Sequence, residues 1–228
     1  MIKNRYDRLA PYYDFLARII FGKSLLQAKS HCLDFLPQGA KILLIGGGTG
    51  QILPAILEGD RQAHVVYLEK SSKMMAFARR RLEQSMIRRV SFIEGDESKL
   101  PAVEKFDVVI TNFFLDQFME DRLGVLINLL FDRLNTTGLW LFTDFQLQKG
   151  QAHYWWQNLL VKIMFTFFKI TTNLEANRLP EFDHFFQDQN LQLVEEKYFF
   201  KKLIVSRAYR KSIDTSTAKG PEPIFKTV

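Results

Sequence analysis

The sequence predicts an α/β protein whose parallel β-sheet is covered by helices on both faces. Short apolar runs alternate five times with segments in which apolar residues recur at helical spacing, a pattern typical of parallel sheets. The first apolar run leads directly into a glycine-rich turn. Acidic or polar residues follow several of the other runs. Because ligands bind at the carboxyl ends of parallel strands, we expect a binding site at that edge of the sheet.

The glycine-rich turn is the strongest local signal. Residues 41–57 read KILLIGGGTGQILPAIL, which predicts a buried strand, a tight turn and a helix start. Glycines at 46, 48 and 50 remove Cβ atoms that would hold a ligand away from the backbone, and the helix start offers unpaired N–H groups. A carboxylate, a phosphate or a sugar could bind there. The dinucleotide fingerprint requires glycine at 51, where this chain has Gln51, so a flexible turn without a ligand is the alternative.

Two further predicted strands end on acids. The strand in 63–69 (AHVVYLE) ends at Glu69, 19 residues beyond Gly50 (69 − 50). An acid at this distance accepts hydrogen bonds from ribose hydroxyls in nucleotide-binding βαβ units. The strand in 90–96 (VSFIEGD) also ends on an acid and is followed by Glu97. The same edge of the sheet therefore carries several acceptors.

The remaining strands complete the alternation. Residues 106–118 predict a strand buried on both faces, from which Asn112 emerges. A fifth strand is predicted at 139–145, and the β-patterned runs 191–199 and 202–210 predict a closing hairpin. Helices are predicted at 15–36, 51–57, 71–86 (with Ser71 as N-cap), 121–135 and 149–172.

Two aromatic segments are not required by the sheet. Residues 3–14 (KNRYDRLAPYYD) could form a lid over the glycine turn or a hydrophobic anchor. The apolar helix predicted in 149–172 could cap an apolar substrate, form a subunit interface, or lie on a membrane surface, flanked by Lys149, Lys162 and Lys169.

Composition limits the class of protein. A chain of 228 residues with 47% hydrophobic residues fits one domain with a substantial core. The net charge of +6 comes without a long basic arm, so we expect no nucleic-acid partner. The single cysteine, Cys32, excludes an internal disulfide or a cysteine-cluster metal site, and we expect no bound metal. With neither a signal peptide nor an apolar run of about twenty residues, a soluble cytoplasmic protein is expected.

The elements occur in a familiar order: KILLIGGGTG, VVYLEKS, FIEGD, FDVVITNFFLDQF and LNTTGLWLFTDF. In this order the chain resembles the class I S-adenosylmethionine-dependent methyltransferases over residues 6–210. The opening YDRLAPYYDFLARIIFG further resembles ubiquinone- and menaquinone-biosynthesis C-methyltransferases and their small-molecule relatives. The resemblance implies a Rossmann-like three-layer sandwich, with a seven-stranded, mostly parallel sheet and a C-terminal antiparallel hairpin. We expect a single domain at 1–210, with a helical lid at 1–37 and an aromatic helical cap at 146–185, and a flexible tail at 211–228.

The resemblance also implies S-adenosylmethionine as the cofactor, with a small molecule as the methyl acceptor. The implied contacts are Gly46, Gly47, Gly48 and Gly50 at the methionine moiety, Asn112 near the methyl donor, Tyr13 closing over it, Glu69 at the ribose, and Lys70, Met74, Asp96 and Glu97 around the adenine.

One position departs from the family pattern. Many members carry an acid two residues before the first glycine, where this chain has Leu44. The Ile-Gly-Gly-Gly sequence also resembles aminopropyl transferases, which use decarboxylated S-adenosylmethionine. An aminopropyl transferase and a non-catalytic binding protein on the same fold therefore remain alternatives.

The chemistry of methyl transfer demands mainly alignment and exclusion of water, because a sulfonium methyl is already activated. If the acceptor holds a proton at pH 7, the candidate bases are Asp116, Asp144, His153 and Tyr13, each of which could instead have an ordinary surface or capping role. The segment 112–115 is NFFL rather than the [Asp/Asn]-Pro-Pro-aromatic motif, which disfavours methylation of nucleic-acid bases. The aromatic segments favour a small apolar acceptor.

Overall fold

The computed structural model describes residues 6–101, 103–148, 150–172 and 175–212. Within these ranges the strands are β1 (Lys41–Ile45), β2 (His64–Glu69), β3 (Val90–Glu94), β4 (Phe106–Asn112), β5 (Leu134–Phe145), β6 (Leu191–Phe199) and β7 (Ile204–Lys211). The helices are α1 (Tyr6–Phe21), α2 (Ser24–His31), α3 (Leu53–Gly59), α4 (Ser72–Arg80), α5 (Gln84–Ile87), α6 (Glu120–Arg133), α7 (Tyr154–Thr171) and α8 (Phe182–Gln187).

The strands form one seven-stranded sheet in the order β3-β2-β1-β4-β5-β7-β6. Strands β1 to β5 pair in parallel, and β7 lies antiparallel between β5 and β6. Parallel pairs require crossover connections, and helices supply them here. The predicted fold, with its antiparallel C-terminal hairpin, is confirmed.

Strand β1 is buried on both faces because helices cover both sides of the sheet. Ile42 and Leu44 belong to the core cluster that includes α3 and α4. Leu43 and Ile45 belong to the opposite cluster, which includes α6 and α8. This alternation explains why the central strands read as continuous apolar runs.

The segment 15–36, expected as one helix, is divided. Helix α1 begins at Tyr6 and ends at Phe21, and Gly22 adopts a positive φ of 60° before α2 starts. A short 3-10 turn (Cys32–Phe35) follows α2. The glycine allows the left-handed conformation that ends the first helix. The aromatic residues of 3–14 therefore lie largely on α1 rather than ahead of the helix.

The segment 71–86 is likewise two helices, α4 and α5. Ser71 is the N-cap of α4, as predicted, and its hydroxyl accepts a hydrogen bond from the Met74 amide at 3.2 Å. Arg81 follows the last residue of α4, and its Nε donates to the carbonyl oxygen of Thr49 at 2.8 Å. The residue at which α4 stops thus contacts a residue 32 positions earlier in the sequence.

Two strand boundaries differ from prediction. Strand β4 stops at Asn112 because Phe113 turns the chain with a φ of 51°. Strand β5 begins at Leu134, five residues before the predicted start at 139 (139 − 134). Lys149 and residues 213–228 lie outside the described residues. The flexible tail expected at 211–228 therefore stays a prediction.

Candidate functional site

A cavity of about 360 Å³ lies at the carboxyl edge of the central strands. The strand edge contributes polar groups to its wall, including Glu69, Asp96, Asn112 and Asp116. Helices α1 and α7 contribute apolar side chains to the same wall, among them Leu16, Leu160, Met164 and Phe168. A cavity of this size, mostly apolar with a few convergent polar groups, is typical of a small-molecule site.

The glycines of the turn have different tasks. Gly48 lines the cavity at a φ of 62°, and a Cβ added to it would meet no atom within 4 Å. Gly48 therefore leaves backbone exposed to a ligand. A Cβ on Gly50, at a φ of 71°, would lie 2.5 Å from the Ala78 Cβ on α4. Gly50 is thus required for helix packing and is not among the residues that line the cavity.

The carboxylate of Glu69 is fixed at the end of β2. Its Oε2 accepts a hydrogen bond from the Gly48 amide at 2.9 Å, and its Oε1 accepts one from the Ser71 amide at 2.8 Å. Burial raises the pKa of this carboxyl group. Each carboxylate oxygen can accept a further hydrogen bond, so Glu69 can bind the two neighbouring hydroxyls of a sugar.

The acids after β3 are also restrained. Asp96 accepts hydrogen bonds from the Ser98 hydroxyl at 2.6 Å and the Ser98 amide at 3.2 Å, and the hydroxyl contact is the main reason that its pKa is lowered. Glu97 pairs with Arg122 of α6 at 2.8 Å. Both acids line the cavity, with Glu97 already neutralised by an arginine.

Two polar atoms at the end of β4 are buried and have no hydrogen-bond partner among the described residues. They are Nδ2 of Asn112, a donor, and Oδ1 of Asp116. Both residues line the cavity. An unpaired buried polar atom costs about 1–3 kcal/mol, so a bound ligand that supplies partners would remove a real penalty.

The half-buried Asp116 and the fully buried Asp144 form a pair of carboxyl groups. Oδ2 of Asp144 accepts a hydrogen bond from the Asp116 amide at 3.2 Å, and its Oδ1 accepts one from the Phe145 amide at 2.9 Å. Burial raises the pKa of Asp116 to about 7. Burial, reinforced by the nearby Asp116, raises the pKa of Asp144 well above its ordinary value. A protonated Asp144 would lie behind an Asp116 that can gain or lose a proton near neutral pH.

Residues 42–138 match a protein family described as a methyltransferase domain. Residues 42–138 of the chain therefore carry a methyltransferase domain. Among relatives, a malonyl-[acyl-carrier protein] O-methyltransferase of Priestia megaterium is 27% identical over 145 residues, covering 64% of this chain and 51% of that protein. A demethylmenaquinone methyltransferase of Thermus thermophilus is 31% identical over 130 residues, covering 55% and 59%. The chain thus spans a little over half the length of these relatives.

Solved structures share the fold of this methyltransferase domain. The Burkholderia thailandensis 1,6-didemethyltoxoflavin-N1-methyltransferase, solved with 1,6-didemethyltoxoflavin and S-adenosylhomocysteine, matches with a TM-score of 0.63 at 17% identity. The match covers 91% of this chain and 87% of that one. At this identity the likeness establishes the fold.

The methyltransferase domain gathers nearly all of the predicted cofactor contacts in one place. Gly50 is the exception, because it packs against α4. The predicted contacts that line the cavity are Tyr13, Gly46, Gly47, Gly48, Glu69, Lys70, Met74, Asp96, Glu97 and Asn112.

The candidate bases do not share one place. Asp116 and Tyr13 line the cavity. Asp144 is fully buried behind Asp116 and is not among the lining residues. His153 precedes the first turn of α7, exposed, with its ring 6.2 Å from that of Trp156, and it too is outside the cavity wall. Geometry therefore selects Asp116 over Asp144 and His153.

Sequence reasoning missed the residues that fix α1 to this edge. Oδ1 of Asp7 accepts a hydrogen bond from the Ser71 hydroxyl at 2.6 Å, and Asp14 accepts one from the Thr49 hydroxyl at 2.8 Å. Arg81 forms an ion pair with Asp14. The two aspartates are seven residues apart, which places them on one face of a helix. The signal available in the sequence is a Tyr-Asp pair that occurs twice, at residues 6–7 and 13–14.

Lys29 of α2 was also missed. It lines the cavity, and its Nζ donates to Oε1 of Gln51 at 3.4 Å and lies 5.4 Å from the centre of the Phe113 ring. Burial lowers its pKa to about 8, with Asp14 acting in the opposite direction. Nothing in the local sequence distinguishes it from an ordinary surface lysine.

Two negative findings apply to the described ranges. No group of three or more His, Cys, Asp or Glu residues there is placed to hold a metal ion. In the same ranges, no helix is long and apolar enough to cross a membrane.

Proposed function

We propose that this protein transfers a methyl group from S-adenosylmethionine to a small acceptor of apolar or aromatic character. The observation that carries the proposal is that one cavity joins the polar edge of the sheet to the apolar sides of α1 and α7. A polar cofactor and an apolar acceptor could therefore meet inside a single enclosure.

The polar groups fit the cofactor. Gly48 leaves room beside the backbone, Glu69 has free acceptor capacity for ribose hydroxyls, and the Nδ2 of Asn112 needs a hydrogen-bond acceptor. The two acids after β3 would lie near the adenine, beside Lys70 and Met74, as the family resemblance implies. When bound, S-adenosylmethionine supplies a methyl group on a positively charged sulfur.

Lys29 would bind the carboxylate of the cofactor's methionine part. It is a half-buried cation in the same wall as Leu44, which replaces the acid found in many family members. A buried ammonium group is stabilised by an opposite charge, and a bound carboxylate would provide one. The cofactor's amino acid part would thus be recognised from its carboxylate end.

The apolar side of the cavity would hold the acceptor. Phe145, Met164 and Phe168 are among its walls, and Phe113 packs against Phe145 with ring centres 4.8 Å apart. These side chains would exclude water and align the acceptor with the methyl group, which is the main contribution that this reaction needs from a protein. The names of the two relatives, which refer to a malonyl carrier and a demethylated quinone, support a small acceptor group.

Asp116 would take the proton if the acceptor loses one. Its Oδ1 is buried without a hydrogen-bond partner among the described residues, and Asp116 belongs to the cavity wall. A pKa of about 7 leaves much of the group ionised at neutral pH and able to act as a base. Asp144, behind it, would position it through the Asp116 amide.

The aminopropyl alternative requires an acidic pocket for a polyamine. The residues that α1 and α7 contribute to the cavity are apolar or aromatic and include no Asp or Glu. The carboxylates that line the cavity lie outside these two helices. This composition favours the methyl acceptor over the polyamine.

Calorimetric titration with S-adenosylmethionine, S-adenosylhomocysteine and decarboxylated S-adenosylmethionine tests the proposal. We expect the first two to bind and Glu69→Ala to weaken that binding at least about tenfold, the effect of losing a hydrogen-bonded charged group. Glu94→Ala is the matched control, because Glu94 pairs in register with Glu69 but is exposed outside the cavity wall. Preference for the decarboxylated compound would favour aminopropyl transfer. Binding of none of the three would leave a non-catalytic protein on this fold.

A further inference from the structure

Helix α7 exposes an apolar stripe along its whole length. Its buried face, including Val161 and Phe165, packs in a core cluster with Phe21 and Phe145. Between 38% and 73% of the surface of each stripe residue remains exposed. The helix contains no Asp or Glu. The stripe consists of Trp155, Leu159, Ile163, Phe167 and Ile170.

Helix α1 extends this apolar surface. Tyr12, Phe15 and Ile19 are each 64–65% exposed and recur at helical spacing. The two helices contact each other, with the rings of Tyr13 and Phe168 6.4 Å apart. We call the two exposed stripes together the α1/α7 face. An apolar surface made by two neighbouring helices is unusual for a face that meets only water.

Basic residues border the α1/α7 face. Lys162 and Lys169 lie beside the stripe on α7, about two and about four turns after Trp155, and Arg18 lies one turn after Phe15 on α1. All three of these cations are exposed. The border therefore carries the charge that would complement an anionic surface.

The hairpin between β6 and β7 adds two more cations at the start of α7. Lys201 and Lys202 adopt positive φ values of 53° and 70°, which non-glycine residues rarely do. The Gln157 side chain donates to the Lys201 carbonyl oxygen at 2.7 Å, and Lys201 Nζ lies 5.6 Å from the centre of the Trp156 ring. A strained turn is thus attached to α7 and keeps both lysines exposed there.

We propose that the α1/α7 face docks on the surface of an anionic lipid bilayer. Its apolar stripes would enter the interface, where tryptophan and tyrosine are favoured, and its cations would contact the headgroups. A second copy of the chain fits less well. Pairing two identical faces would bring Lys162 and Lys169 toward the lysines of the other copy, and like charges that meet across an interface repel each other.

The cavity opens onto this face. Ile20, Ile163 and Phe167 are partly exposed and also line the cavity. An apolar acceptor dissolved in the bilayer could then reach the cavity without crossing water, a consequence that rests on the proposed function. Docking itself needs neither cofactor nor acceptor, so its failure and the failure of methyl transfer are distinguishable.

Sedimentation of the full chain with lipid vesicles tests the proposal. We expect binding to vesicles that mix phosphatidylcholine with phosphatidylglycerol, weak binding to phosphatidylcholine alone, and release at high salt. Trp155→Glu and the double variant Lys201→Glu with Lys202→Glu should each weaken binding about tenfold or more. Val125→Glu is the matched control because Val125 is equally exposed, at 68%, on α6.

Three outcomes would overturn the proposal. The first is no binding to the mixed vesicles, and the second is binding that the Val125 and Trp155 variants weaken equally. The third is a concentration-dependent dimer, seen by light scattering without lipid, that Trp155→Glu converts to monomer, since a second copy would then cover the face. Circular dichroism of each variant establishes that the fold is retained, and Phe15→Ser provides an independent change on α1.

Discussion

The Thr49 hydroxyl donates a hydrogen bond to the Asp14 carboxylate at 2.8 Å, which fixes helix α1 to the glycine turn. The two residues are 35 positions apart in the chain. Asp14 also pairs with Arg81, which follows α4. One carboxylate therefore connects helix α1, the glycine turn and the end of α4. The wall of the cavity that α1 supplies depends on this connection.

Breaking the Thr49–Asp14 contact should loosen α1 over the cofactor site. We expect Thr49→Val and Asp14→Ala each to lower the free energy of unfolding by about 1–2 kcal/mol, the usual cost of a lost hydrogen bond to a charged group. Both should also weaken cofactor binding, because Tyr13 would lose its fixed position. Urea unfolding and calorimetry measure the two effects. The double variant should show a coupling of about 1 kcal/mol, and strictly additive effects would contradict the connection.

The two glycines at 48 and 50 should respond differently to the same substitution. Gly50→Ala places a Cβ 2.5 Å from Ala78, in addition to its positive φ, so we expect it to lower the free energy of unfolding by about 2–4 kcal/mol. Gly48→Ala meets no neighbouring atom and should cost about 1 kcal/mol of stability from backbone strain alone. Its main effect should be weaker binding of the cofactor, measured by calorimetry. Equal losses of stability in the two variants would contradict this division of roles.

Stability should fall with rising pH because of Asp116. Burial raises its pKa from 3.8 to about 7, so in that range the folded protein binds a proton that the unfolded chain has already lost. The stabilising contribution is complete below about pH 4 and is lost as the pH rises through about 7. Asp116→Asn should flatten this part of the curve, measured by urea unfolding at several pH values. If Asp116 is the base, the methylation rate should rise through the same range in the unmodified protein.

Lys29→Met should increase stability while weakening cofactor binding. Burial lowers the pKa of Lys29 from 10.5 to about 8, so at pH 7 the folded protein holds a charge in an unfavourable place. Its cost is absent above about pH 10.5, grows as the pH falls toward about 8 and is complete below that value, where the variant should gain most. Thermal unfolding at about pH 7 and pH 10 checks the sign. Unchanged affinity for S-adenosylhomocysteine in the variant would contradict the carboxylate-binding role.

The sequence by itself determined the strands, the glycine turn and the principal acid at the binding edge. These features depend on local patterns. Apolar runs specify buried strands, and glycines specify a turn whose backbone a ligand can approach closely. The spacing to Glu69 follows from the length of one strand–helix–strand unit. Even the hairpin of β6 and β7 could be predicted, because its two β-patterned runs are adjacent in the chain.

Only the tertiary structure decided how the remaining groups are used. It brought Asp14 to Thr49 and Lys29 into the cavity, and it assigned Gly50 to the contact with α4. It also separated Asp116, in the cavity wall, from Asp144 behind it. Each of these outcomes depends on packing between elements distant in sequence. A local pattern specifies which residues face inward, but the neighbours they meet are fixed only when the helices close over the sheet.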